Sequence, residues 1–108
     1  MHLGRARRLP LEELVVVYAS SREDEMQTRE KIAEALKVHG IIADLTSQPS
    51  SLELLKETVQ AEKRVYAKPI FRYEWRIRLS SRIDDLTLQA LRRALRDLEV
   101  HDIHVENV

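Results

Sequence analysis

Three groups of residues have types and spacings that could do chemistry. Arg72, Arg76 and Arg78 occupy alternate positions in the run from Phe71 to Leu79, between Phe71, Tyr73, Trp75, Ile77 and Leu79. Period-two alternation is the pattern of a strand with one buried face, so the guanidinium groups share the opposite face. Such a row can meet phosphates, and Arg5, Arg7 and Arg8 near the N-terminus could extend it. RNA readers of this shape stack bases on exposed aromatics. Here the aromatics alternate with the arginines and so point the other way. The structural alternative is a solvated face where the arginines pair with Asp44, Asp102 or Glu106 on neighbouring strands.

The second group is Asp102, His104 and Glu106. Alternation puts them on one face, and carboxylate plus imidazole is a ligand set for zinc or manganese. Residues two apart on a strand are about 7 Å apart, too far for a compact cage without a bulge or a symmetry mate, so no metal is expected. The third group is the triplet Ser20-Ser21-Arg22, repeated as Ser80-Ser81-Arg82. A serine nucleophile needs an adjacent base. Ser21 with Asp24, and Ser81 with Asp84, have the spacing of helix caps, which accounts for them without catalysis. His39 fits a helix end, where the dipole favours it. No nucleophile–base–orienter set emerges, and no enzyme activity or cofactor is expected.

The elements that must position these groups follow from the hydrophobic pattern. Leu14 to Ala19 is a nearly continuous apolar run, suited to a central strand buried on both faces. A first helix should start at Ser21, with Glu23, Asp24 and Glu25 in its first turn, carry Ile32, Ala35, Leu36 and His39 on one stripe, and stop at Gly40. Ile41 to Leu45 reads as a second strand. Ser50 and Glu53 repeat the capping spacing, and Leu52, Leu55 and Val59 predict another helix over about Leu52 to Lys63. Phe71 to Leu79 is the third strand. Ser81 and Asp84 begin a helix with the stripe Leu88, Leu91, Ala94, Leu95 and Leu98, and Val100 to Val105 is the last strand.

Two strand–helix–strand halves predict an α+β fold: a ferredoxin-like βαβ(α)βαβ two-layer sandwich, with a four-stranded sheet in the order four, one, three, two and helices on one face. The 108 residues make one domain, 13–108, behind a flexible basic arm, 1–12. With 18 basic and 18 acidic residues the formal net charge is zero, which argues against generic nucleic-acid or membrane-surface binding. There is no cysteine, so disulfides, thiol catalysis and cysteine-based zinc sites are excluded. No apolar run approaches the roughly 20 residues that span a bilayer. No membrane insertion and a cytoplasmic location are expected. With 2 glycines, the chain should turn without left-handed residues.

The stretch Tyr73 to Leu79, then Leu91 to Leu98, then Val100 to Val105, resembles the rhythm of ACT-like small regulatory domains and of the ferredoxin-like domains appended to transporters. The resemblance implies a regulatory or assembly role. It implies no binding residue, because ACT-like ligands sit at a glycine-containing turn after the first strand and this chain has Ser20-Ser21 there.

The function expected is therefore a non-enzymatic interaction or regulatory module that self-associates through its sheet as a homodimer. Its interface would be Val15, Val17, Arg72, Arg76 and Arg78, with Val15 and Val17 leaving apolar area on the face away from the helices. The alternatives are RNA binding through Arg72, Arg76, Arg78 and the arm residues Arg5, Arg7 and Arg8, a metabolite-sensing domain, and a designed scaffold. Low glycine, absent cysteine and repeated caps suit the last of these.

Overall fold

The computed structural model describes residues 11–56 and 69–108. In chain order the elements are β1 (Glu12–Ser20), α1 (Glu25–Val38), β2 (Ser50–Lys56), β3 (Ile70–Arg78), α2 (Asp85–Ala94) and β4 (Val100–Asn107). They form an α+β fold with one four-stranded sheet in the order β2-β3-β1-β4, antiparallel at every junction. Leu14, Val16 and Tyr18 of β1 pack with Tyr73, Trp75 and Ile77 of β3 and Ile103 of β4 against Ile32 and Leu36 of α1 and Leu91 and Leu95 of α2. Both helices therefore cover the same face. The side-chain period of two turns Glu13, Val15, Val17 and Ala19 to the other face. In register with them stand Arg78, Arg76, Glu74 and Arg72 of β3, and Glu106, His104 and Asp102 of β4.

Two expected elements are different in the structure. Ile41–Leu45 is not a strand, and Leu52–Lys56, expected to open a helix, belongs to β2. The alternation in the first segment is real: Ile41, Ala43 and Leu45 pack on the core while Ile42 and Asp44 are exposed. It has no ladder partner, because the turn closed by Ser47 N–H to the Asp44 carbonyl (3.0 Å) leads the chain away. The place beside β3 is taken instead by Ser50–Lys56, through a ladder broken by two register shifts. Main-chain pairing with the exposed edge of β3 outweighed a weak helical pattern, as tertiary context commonly does. The remainder of that expected helix, and the arm with Arg5, Arg7 and Arg8, lie outside the described residues.

The helix ends follow local chemistry, with shifted starts. Ser21 Oγ accepts the Asp24 N–H at 3.1 Å, as its spacing predicts, but helical geometry begins only at Glu25. At α2 the cap is Asp84 itself, whose carboxylate accepts the Thr87 N–H at 2.9 Å. The end of α1 is a Schellman motif. Gly40 N–H donates to Lys37 O and Ile41 N–H to Leu36 O, both at 3.0 Å, while Ile41 and Leu36 join the core. Contrary to expectation, the chain does use left-handed residues: Gly40 has φ +84°, and Glu99, between α2 and β4, has φ 60°. Both are places where the chain must reverse within two or three residues to reach the next core position.

A Cβ added at Gly40 would meet nothing within 4 Å, so the cost of a side chain there is that of the backbone alone. Gly40→Ala is expected to lower unfolding free energy by about 1 kcal/mol in urea titration.

Candidate functional site

The structure gathers ionisable side chains in two places, on the outer sheet face and at the junction of β1 with α1. On the outer face, Arg76 is the hub. Its Nε donates to Glu74 Oε2 at 2.8 Å, and its Nη1 to Glu13 Oε1 at 3.2 Å and Glu106 Oε1 at 3.0 Å. These hydrogen bonds, that of Glu106 foremost, raise the guanidinium pKa further. Arg76 so tied has little positive charge left for a phosphate. Its link to Glu106 spans β3 and β4, across Glu13 on β1.

Beside this hub, His104 contacts Asp102 Oδ2 through Nδ1 (2.7 Å) and Glu106 Oε2 through Nε2 (2.8 Å). Two carboxylates on two ring nitrogens require both nitrogens to donate, which only the imidazolium can do. The hydrogen bond to Glu106, helped by Asp102 and opposed by partial burial, accordingly raises the His104 pKa. Among the described residues no group of His, Asp and Glu is arranged to hold a metal ion.

The remaining residues of the expected interface divide. Arg72 is half-buried, and its Nε is buried without a hydrogen-bond partner. Arg78 is exposed and, unlike Arg76, forms no ion pair among the described residues. Val15 and Val17 do lie on the face away from the helices, but they expose only 1% and 3%. Arg76 and His104 stand opposite Val15, and Glu74 and Asp102 opposite Val17. The open apolar area expected at these valines is absent.

The second assembly was missed by sequence reasoning. Glu25 and Arg29 are 8% and 4% exposed. Arg29 grips the Glu25 carboxylate with two hydrogen bonds, Nε to Oε2 at 2.9 Å and Nη2 to Oε1 at 2.6 Å. Its Nη1 donates to the Leu45 carbonyl at 2.7 Å, and the Tyr18 hydroxyl donates to Glu25 Oε2. Tyr73 stacks on Tyr18 with ring centroids 5.6 Å apart. Burial pushes the Glu25 carboxyl up, but the hydrogen bonds from Arg29 and Tyr18 and the Arg29 charge outweigh it, leaving the net pKa below the ordinary value. Burial, with the adjacent Glu25 carboxylate, holds the Tyr18 phenol far above its ordinary range. A signal existed: Glu25, Arg29, Ile32 and Leu36 fall at i, i+4, i+7 and i+11 on one helical stripe.

The serine triplets also divide. Ser20 and Ser21 are buried, with Ser20 Oγ donating to the Ser21 carbonyl at 2.8 Å, whereas Ser80 and Ser81 are exposed. The latter line a cavity of about 720 Å³ between the end of α1 and the start of α2, with His39, Arg78, Arg82 and Asp84. His39 is half-buried, its Nδ1 3.1 Å from the Ala35 carbonyl, in the helix-end position its stripe implies. No helix among the described residues is long and apolar enough to cross a membrane. Compared with known proteins, the chain matches no family model and no curated protein.

Two predictions follow from these charges. Arg29→Met leaves a buried carboxylate without its cation and is expected to cost about 3 kcal/mol at pH 7 in urea unfolding. His104 acts with the opposite sign to a carboxylate. Because its folded pKa is raised, its stabilising contribution is complete below about pH 6.5 and is lost as pH rises through the folded value. His104→Asn should flatten that part of the stability–pH curve and also reduce the acid limb, because the His104 hydrogen bond is the foremost cause holding the Glu106 carboxyl below its ordinary value.

Proposed function

We propose that this chain is a non-enzymatic interaction module of the ferredoxin-like kind, which pairs with a second copy through its sheet at β4. Read from β4, the strand order is four, one, three, two, with both helices on one face, which supports the ferredoxin-like assignment.

The observation that carries the reading is the edge of β4. Among the described residues this strand pairs only with β1. Val108 N–H donates to Leu11 O at 2.9 Å, which sets the phase of the ladder. Above the register shift at Val17/Tyr18, Asp102, His104 and Glu106 of β4 turn their main-chain groups to β1, and Ile103 and Val105 turn theirs outward. Unpaired groups of this kind are a template for another strand. A twofold axis at Ile103 would overlap β4 with its mate along nearly its whole length. It would also set Asp102 of one copy across from His104 of the other, an oppositely charged pair. The buried valines supply no apolar drive here, so the interface rests on main-chain hydrogen bonds flanked by charged side chains.

The edge carries its own restraint. Arg92 of α2 donates from Nη2 to the Ile103 carbonyl at 3.2 Å, and the β1–β4 ladder has a register shift at Val17/Tyr18. Both devices blunt edge pairing, so the association is weak enough to be reversible. Against the nucleic-acid alternative stands Arg76, whose charge is met by three carboxylates.

Sedimentation equilibrium should show a reversible dimer at concentrations on the order of 100 μM, and Arg92→Ala should tighten it by freeing the Ile103 carbonyl. As the chain has no cysteine, a mixture of Asp102→Cys and His104→Cys chains should cross-link on oxidation far more than either alone. A monomer at all concentrations up to about 300 μM overturns the reading.

A further inference from the structure

A second stretch of open sheet edge lies on the opposite side of the molecule, on β3. Leu79 N–H donates to Glu12 O at 3.0 Å, so odd-numbered residues at this end of β3 direct their main-chain groups to β1 and even-numbered ones away from it. β2 takes up the outward groups only as far as Glu74, opposite Ser50, its first residue. Beyond that point the N–H and C=O of Arg76 and Arg78 face a cleft of about 360 Å³, and no described residue is hydrogen-bonded to them. Ile42, Asp44 and Ser47 form the far wall. Trp75 also lines the cleft, and its buried Nε1 has no hydrogen-bond partner.

We propose that this cleft binds an extended, acidic segment of a partner protein as an added strand beside Trp75–Arg78. Outward main-chain groups of a strand are met in register only by another extended chain. Four residues of strand span about 13 Å, so the docking segment is short. Its charge is set by Arg78. Arg76 is saturated by Glu74, Glu13 and Glu106, Asp44 is engaged by the Thr46 hydroxyl and N–H, and Arg78 is the cation at the cleft that no carboxylate among the described residues pairs with. An acid opposite Arg78 falls on the outer face, and the next residue, on the helix side, meets Ile42, which is 73% exposed. Alternating acidic and apolar residues therefore fit both sides. The Ile42–Ser47 wall and the start of β2 bound this cleft, which places it on the other side of the sheet from the β4 edge.

The probe is a fluorescein-labelled peptide, Gly-Val-Glu-Val-Glu-Val-Gly, titrated with the full chain and followed by anisotropy. Amide shifts of the 15N-labelled chain are recorded in parallel. Saturable binding is expected, with the largest shifts at Ile42, Arg76 and Arg78. Affinity should fall at least about tenfold with Arg78→Glu, with the glutamates of the probe changed to lysine, and with alternate peptide amides N-methylated on the bonding side. Arg78 is exposed, so its substitution leaves the fold intact, which the amide spectrum checks. The proposal is overturned by absence of binding at about 1 mM chain, by affinity indifferent to N-methylation, or by shifts confined to β4.

Discussion

The placement of α1 on the sheet depends on one buried carboxylate. Glu25 lies at the first turn of α1, beneath solvent, and is held ionised by Arg29 one turn later and by the Tyr18 hydroxyl on β1. The same guanidinium reaches the Leu45 carbonyl, in the segment that leads from α1 toward β2. Strand, helix and connection thus meet at one charged cluster. A buried ion pair commonly adds little net stability over apolar packing of the same volume, because desolvation offsets the Coulomb attraction. Its effect here is on uniqueness. Sliding or rotating α1 by one residue would keep much of its apolar contact but would strand a charge in the core. Only one placement satisfies every partner.

That placement explains the different character of the two sheet faces. With α1 and α2 both fastened over Leu14, Val16 and Tyr18, the remaining face of β1 carries Glu13, Val15 and Val17 between two strands of charged side chains. Long polar side chains of both signs, centred on Arg76 and His104, form an interlinked layer there. Within it the charges of Arg76 and His104 are met by carboxylates. Among the described residues, what remains largely unpaired is the main chain at the sheet margins, along β4 and beside the last half of β3. The surface chemistry therefore shifts from the faces, where sequence pattern directed attention, to the edges.

The legible parts were those with a strong local period. The central first strand, the ribbon from Phe71, the α2 stripe and the final strand are where their patterns put them, and α1 stops at the glycine expected to end it. The segment between residues 41 and 56 was misread because two short apolar runs competed for one place beside β3, and local pattern cannot say which will find a ladder. Arg76 paired to Glu106 was among the cross-strand partners that alternation suggested. The cluster of Tyr18, Glu25 and Arg29 was hidden for a different reason. Acids in a first helical turn suit the helix dipole, and that sufficient explanation masked the fact that Glu25 and Arg29 share the stripe of Ile32 and Leu36. Edge vacancies depend on where ladders stop, and no pattern within a single strand records that.

The most direct test of this account is the titration of the Glu25 carboxyl, followed by 13C NMR in the folded chain and in its Arg29→Met variant. Because hydrogen bonds and the neighbouring cation outweigh burial, Glu25 should titrate below its ordinary value in the native chain. Without the guanidinium, burial is left in command and the same carboxyl should titrate above it. A native Glu25 that titrates at or above the ordinary glutamate value, or one that Arg29→Met does not move, would contradict the claim that this charge positions the helix.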